Sequence, residues 1–263
     1  MDLRPDPPVL PLLVGYGFVV ASIVATWVVD GRGGVRALLQ RFLIWRVGLR
    51  WYAVILLGWA AVDLTAIALH VVLGGPVPDF SHPFAVRIMP PGMNLWAAAP
   101  LFLLFAAFTN AEEIGWRGYA LPRLQARHGA LAATLVIGIV WAFWHVPKFL
   151  TAGSAQDSYP FWVYVVDTTT KAVVFTWVFN STRGSLLAVT LLHASLNTSS
   201  IFLPILPAAA GDVRPMLIAV GLHCAAAVVI VLATGPARLS CANGSEQVGT
   251  SKLCEERSSP PAP

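Results

Sequence analysis

The chain has 263 residues, of which 57% are hydrophobic and 11% charged, and a mean hydropathy of +0.70. That composition excludes an ordinary soluble globular domain and identifies a membrane protein. A net charge of +4 with a pI near 9.2 would suit nucleic acid, but the basic residues sit in connections rather than on one soluble face, so no nucleic-acid partner is expected.

Apolar runs long enough to cross a bilayer, about 17 to 25 residues each, fall at 10–29, 51–73, 95–111, 130–147, 161–179, 184–206 and 214–234. Membrane helices satisfy their own backbone hydrogen bonds, and the alternating ten-residue segments of a barrel are missing. The expected fold class is all-α, a polytopic transmembrane helical bundle of about seven spans.

The first run lacks a basic n-region and a small-residue cleavage site, so it reads as a retained anchor rather than a signal peptide. Arg32, Arg36, Arg41, Arg46 and Arg50 crowd the connection after it. The second connection, "GGPVPDFSHPFAVRIMPPGMN", holds a single Arg87, whereas the third collects Arg117, Arg123 and Arg127. With Arg183 and Arg238 on the same side as the odd-numbered connections, the positive-inside rule predicts a multi-pass protein of the cell membrane with N-terminus outside and C-terminus cytoplasmic. From Gly235 the chain turns polar and Pro/Ser-rich, so 235–263 is expected to be a disordered cytoplasmic tail. Cys224, Cys241 and Cys254 make no disulfide framework.

Charged groups inside a span are costly, about 2.5 to 3.5 kcal/mol each on insertion scales, and each needs a reason. Those within the apolar runs or at their ends are Asp63, Glu112, Glu113, Arg117, His145, Asp167, Lys171, His193 and His223, with the polar Asn197 beside them. The chain has five glutamates; Glu246, Glu255 and Glu256 are in the tail, so all of its membrane glutamate is the dipeptide of "TNAEEIGWRGY". Helical spacing stacks Glu113 over Arg117 and leaves Glu112 on the face of Trp116 without a local cation. Glu112 is therefore the carboxylate left free for chemistry.

In "WAFWHVP", His145 shares a face with Trp141. If the glutamate helix turns near His128–Gly129, Glu112 and His145 each lie about 16 residues, or roughly 24 Å, from that turn and come level on antiparallel neighbours. In "LLHASLNT", His193 and Asn197 are four apart on one face. His193 is only about 16 Å from its own turn near 182, so the levels agree only if the 112–145 hairpin protrudes. Asp167 and Lys171, four apart, are expected to neutralise each other. His223 and His70 read as packed histidines, His82 and His128 as loop residues, and Asp63 has no explanation in the sequence.

A carboxylate and an imidazole can hold and deprotonate a water, while a His and an Asn can donate to the oxygen that becomes negative as water adds to an amide. That combination is peptide-bond hydrolysis. A zinc reading uses the same atoms, with Glu113, His145 and His193 as alternative ligands, although no H-E-x-x-H helix is present. The metal-free version, with no cofactor, is favoured. A transporter or proton relay through Asp63, Asp167, Lys171 and His223 is a rival, as is a non-catalytic immunity protein.

Glu112-Glu113-x-x-x-Arg117, then Trp141-x-x-x-His145, then His193-x-x-x-Asn197, in that order on successive membrane helices, resembles the CPBP or Abi family, the type II CAAX prenyl endopeptidases and bacteriocin-processing intramembrane proteases. The likeness covers about residues 95–206 and leaves 1–94, the last helix at 207–234 and the tail outside it. The resemblance implies an intramembrane glutamic-type peptidase acting on a membrane-associated peptide. Glu112 would be its base, His145 would help hold the water, and His193 and Asn197 would stabilise the oxyanion; Glu113 would be the second acid and Arg117 its structural partner. The family usually has Phe where this chain has Trp141, which bears on pocket shape. Because the family includes bacterial members that process unprenylated peptides, a CAAX substrate does not follow from the fold.

Overall fold

A computed structural model describes residues 9–109 and 111–241, and among them it contains helices, turns and loops but no strand. In chain order the helices are α1 (Val9–Gln40), α2 (Leu49–Val72), α3 (Leu95–Thr109), a π-helical segment (Ile114–Ala120) that runs on into α4 (Leu121–His128), and α5 (Ala130–Trp144). They are followed by α6 (Val146–Phe149), α7 (Phe161–Ser181), α8 (Leu186–Phe202), α9 (Pro207–Ala210) and α10 (Arg214–Thr234). Every expected span has its helix. Five segments are long and apolar enough to cross a membrane on their own, and the pair 95–109 and 114–128, bent by 46°, makes a sixth. The 21-residue α7 carries "DTTTK" in its middle, and that half-polar face is turned inward: Asp167 and Thr168 are buried.

The outer surface is what lipid requires. Leu101, Leu104, Phe105 and Phe108 of α3, Val136, Ile139 and Val140 of α5, and Val228, Val229 and Leu232 of α10 are all exposed. With lipid outside as apolar as the core, close backbone approach and interhelical hydrogen bonds must hold the bundle. Gly138 provides the first: a Cβ there would lie 2.7 Å from the Thr169 Cα, so α5 and α7 can touch only at glycine. Nearby, Thr134 Oγ1 donates to Thr176 Oγ1 at 2.8 Å across the same pair. Polar bonds also stitch α2 to α8, where Trp59 Nε1 donates to the Leu192 carbonyl at 3.1 Å and Ser195 Oγ donates to the Ile55 carbonyl.

Two sequence expectations need correction. Helix α1 does not stop near residue 29 but continues past a kink at Gly31, where φ is +68°, so Arg32 and Arg36 lie on a helix end rather than in a loop. The tail begins later than 235. Leu239 is fully buried, the Ala237 and Pro236 carbonyls accept from Ala130 N and Leu131 N at 3.0 and 2.9 Å, and Cys241 N donates to Ser181 Oγ at 3.0 Å. Residues 242–263, with Cys254 and the three tail glutamates, lie outside the described residues.

Candidate active site

The glutamates sit where α3 gives way to the π-helical segment. A π-turn widens the backbone and re-aims side chains, and such turns are frequent at functional sites. Two glycines let this wide segment dock: a Cβ on Gly115 would lie 2.1 Å from the Phe18 ring and one on Gly118 would lie 2.6 Å from Leu38. Both contacts are with α1, so α1 holds the segment against the bundle from outside the matched core.

Glu113 and Arg117 are fully buried. Arg117 Nη1 donates to both carboxylate oxygens of Glu113, at 3.0 and 3.1 Å, as their spacing predicts. The guanidinium is sandwiched between Trp141 and Phe175, 4.9 and 4.4 Å from the ring centroids, with Nε and Nη2 unpartnered among the described residues. The rings supply the cation–π attraction that the missing acceptors do not. A third donor closes the acid: His193 Nδ1 donates to Glu113 Oε1 at 2.8 Å. The sequence did not announce this bond, because the two residues are 80 positions apart.

Glu112 has a different environment. It is half-buried, makes no ion pair among the described residues, and accepts one long hydrogen bond, from Trp141 Nε1 at 3.3 Å. His193, His145, Lys148 and Arg117 are among the charge-bearing groups near enough to interact with it. Lys148, one turn beyond His145, was not foreseen, since it follows the predicted span and reads there as an interfacial lysine.

Trp141 is the hub. Besides its bond to Glu112 and its face under Arg117, its ring stands edge-on to His193, Phe175 and His145 at 5.4, 5.4 and 6.1 Å. His145 ends α5, and its Nδ1 donates to the Trp141 carbonyl at 2.9 Å. A carbonyl can only accept, so Nδ1 carries a proton and the neutral ring keeps its lone pair on Nε2. The same reasoning gives His193 a free Nε2 once Nδ1 is committed to Glu113. Tyr164 closes the other side of His145 at 5.7 Å. Asn197 is one turn beyond His193 on α8, half-buried, with no side-chain hydrogen bond among the described residues. Phe175 and Tyr164 carried no signal, because an aromatic residue in an apolar helix looks like core.

The hairpin tip is held from two sides. Gln125 of α4 exchanges amide hydrogen bonds with Asn180 near the end of α7, at 3.2 and 3.4 Å, and α4 continues to His128 beyond that level. The tip at Gly129, where φ is +76°, rests on the 236–237 carbonyls. Past the Gln125–Asn180 level α4 runs three more residues and α7 one, so the hairpin outruns α7 by only about two residues, roughly 3 Å, less than the roughly 8 Å difference in levels counted from the sequence.

No three His, Cys, Asp or Glu side chains are grouped as metal ligands among the described residues. Glu113 fits poorly as a zinc ligand, since both its oxygens are bonded to Arg117 and one also to His193.

Residues 92–199 match the family model described as type II CAAX prenyl endopeptidase Rce1-like. A relative from Methanococcus maripaludis, CAAX prenyl protease 2, is 28% identical over 169 residues, which cover 60% of this chain and 59% of the relative. The match thus spans less than two thirds of that relative's own length. Both findings bear out the resemblance read from the motifs: over 92–199 the chain carries the type II CAAX prenyl endopeptidase pattern of the CPBP family. All seven motif residues fall inside that stretch.

Proposed function

We propose that this protein is an intramembrane endopeptidase that hydrolyses a peptide bond of a membrane-associated peptide or protein with a water activated by Glu112 and His145. The observation that carries the reading is the inequality of the two glutamates. Glu113 is buried and saturated by Arg117 and His193, whereas Glu112 is half-buried, makes no ion pair among the described residues and has His145 among its charge-bearing neighbours. A water between Glu112 and His145 Nε2 would give its proton to the carboxylate as it attacks the amide carbonyl, and Glu112 would return that proton to the leaving nitrogen. Asn197 Nδ2 and, when its ring is protonated, His193 Nε2 would donate to the oxyanion. Glu113 would keep His193 oriented and Arg117 would hold Glu113.

The reaction needs no metal on this reading, and Arg117's hold on Glu113 argues for that version over zinc. The bilayer and a membrane-associated peptide are the partners, and the likeness to a CAAX prenyl protease makes a CAAX-type peptide the first substrate to test. The protein would lie in the cell membrane with the arginine-rich connections and the C-terminus cytoplasmic. Mass-spectrometric comparison of membrane peptides from cells carrying the wild type and Glu112→Gln tests the reading. Cleavage products should vanish with the substitution; an unchanged set overturns it.

A further inference from the structure

At the end of the bundle away from α6, three arginines distant in sequence meet around one open cavity of about 450 Å³. Arg41 comes from the turn after α1, Arg183 from the α7–α8 turn and Arg238 from the segment after α10. Gln125, Asn180 and Phe179 are also in its wall, and no acidic residue lines it among the described residues.

The frame is built rather than incidental. The Gln125–Asn180 amide pair locks α4 to α7, and Asn180 Nδ2 also donates to the Arg238 carbonyl at 2.7 Å, which fixes the third arginine's backbone. Arg183 adopts a left-handed conformation, φ +60°, uncommon for a residue with a Cβ, and its Nη2 reaches the Arg46 carbonyl at 2.7 Å. The Arg41 guanidinium lies 5.8 Å from the Phe179 ring centroid, with one long bond of 3.5 Å to the Gly118 carbonyl. Arg238's side chain makes no hydrogen bond among the described residues. The positive-inside rule explains arginines in these connections, but not their convergence on one cavity with no counter-charge among the described residues.

We propose that this cavity binds a phosphate group, that of an anionic phospholipid headgroup. Guanidinium forks match phosphate oxygens in pairs, and a basic pocket between helix ends lies at headgroup level. A neighbouring groove of about 300 Å³ shares Arg183 and is walled by Leu43, Ile44 and Trp45, of which Leu43 and Trp45 are exposed. A lipid with its headgroup on the arginines has a place there for its apolar chain, which free phosphate does not need.

The test uses the full-length protein in detergent, titrated with phosphatidylglycerol, phosphatidylcholine or inorganic phosphate and read by native mass spectrometry. Phosphatidylglycerol should be retained at least fivefold better than phosphatidylcholine. Arg238→Gln and the double variant Arg41→Gln/Arg238→Gln should each weaken that retention at least fivefold, with thermal unfolding as the check on fold. Arg238→Lys should keep part of it. Arg127→Gln removes an exposed charge outside the cavity and should change nothing. Equal retention of both lipids, a double variant that binds as the wild type does, or equal weakening by Arg127→Gln overturns the proposal. Displacement of phosphatidylglycerol by inorganic phosphate at matched concentration assigns the cavity to free phosphate and overturns the lipid source.

Discussion

Two clusters of ionisable groups are buried in this bundle, and their inventories are nearly the same. Each has two carboxyl groups, an Arg or Lys paired with one of them, and at least one histidine. In the first, Glu112 and Glu113 face Arg117, His145 and His193. In the second, Asp167 accepts from Tyr159 Oη and Lys171 Nζ, both at 2.7 Å, and from His223 Nδ1 at 2.8 Å, while Asp63 accepts from Ser199 Oγ. Phe175 and Trp59, 6.1 Å apart, stand between them: Phe175 is edge-on to His193, Trp59 edge-on to His223. What differs is what each leaves open. Asp167 is closed by three donors from α7, α10 and the loop before α7, and Asp63 is buried against α8, so the second cluster ties helices together. The first keeps one half-buried carboxylate with a single long bond. Residue types alone do not separate the two clusters; the hydrogen-bonding capacity left unspent at Glu112 does.

The contrast is broken most sharply at the acids. Glu112→Gln keeps the shape and removes the proposed base; peptide cleavage by purified protein should fall about 10²–10⁴-fold, with thermal unfolding unchanged. Asp167→Ala should do the converse. Removing one member of a buried ion pair leaves the others uncompensated, a loss of about 3–5 kcal/mol in unfolding free energy, while the activity of each molecule still folded persists. If Asp167→Ala abolished cleavage in folded protein, the proton-relay reading would gain what the peptidase reading lost.

Asn197→Ala comes next in size. Its amide has no partner among the described residues, so its loss should cost little stability. Cleavage should drop about 10²–10³-fold, the cost of one oxyanion donor, and kcat should fall with KM nearly constant. A variant as active as the wild type would remove Asn197 from the site.

How far the sequence carried the reading follows the range of each interaction. The pairs Glu113–Arg117 and Asp167–Lys171 were legible because both partners lie on one helix four residues apart, and that spacing determines proximity. The spans were legible because lipid demands apolar surface over a fixed length. Bonds between helices were not: His193 to Glu113 and His223 to Asp167 join residues 80 and 56 positions apart, so His223 passed for a packed histidine and Asp63 for a puzzle. The π-turn left no sequence signal except Gly115 and Gly118, whose need for α1's side chains emerges only once α1 is in place. At 235–241, polar composition spoke for disorder, but one buried Leu239 and several backbone bonds hold the segment down.

The smallest effect sharpens the comparison most, because it isolates one hydrogen bond. At Trp141 the sequence predicts an aromatic wall, and a wall needs only a ring. The indole adds an N–H, and that N–H is the donor that reaches Glu112. Trp141→Phe keeps a ring under Arg117 and edge-on to His193 and deletes the donor. A net hydrogen bond is worth about 0.5–1.5 kcal/mol, so cleavage should fall by roughly 2- to 12-fold. The loss should be in kcat if the indole aims the carboxylate at the water, and the pH–rate profile should shift, since the bond is made to the group that takes the proton. A purely steric role predicts a changed KM or thermal stability with an unmoved profile. Trp141→Tyr separates the two further: it restores bulk and a hydroxyl but not a donor at the indole nitrogen's position. It should therefore behave like Trp141→Phe if the directed N–H is what distinguishes Glu112 from its saturated neighbour.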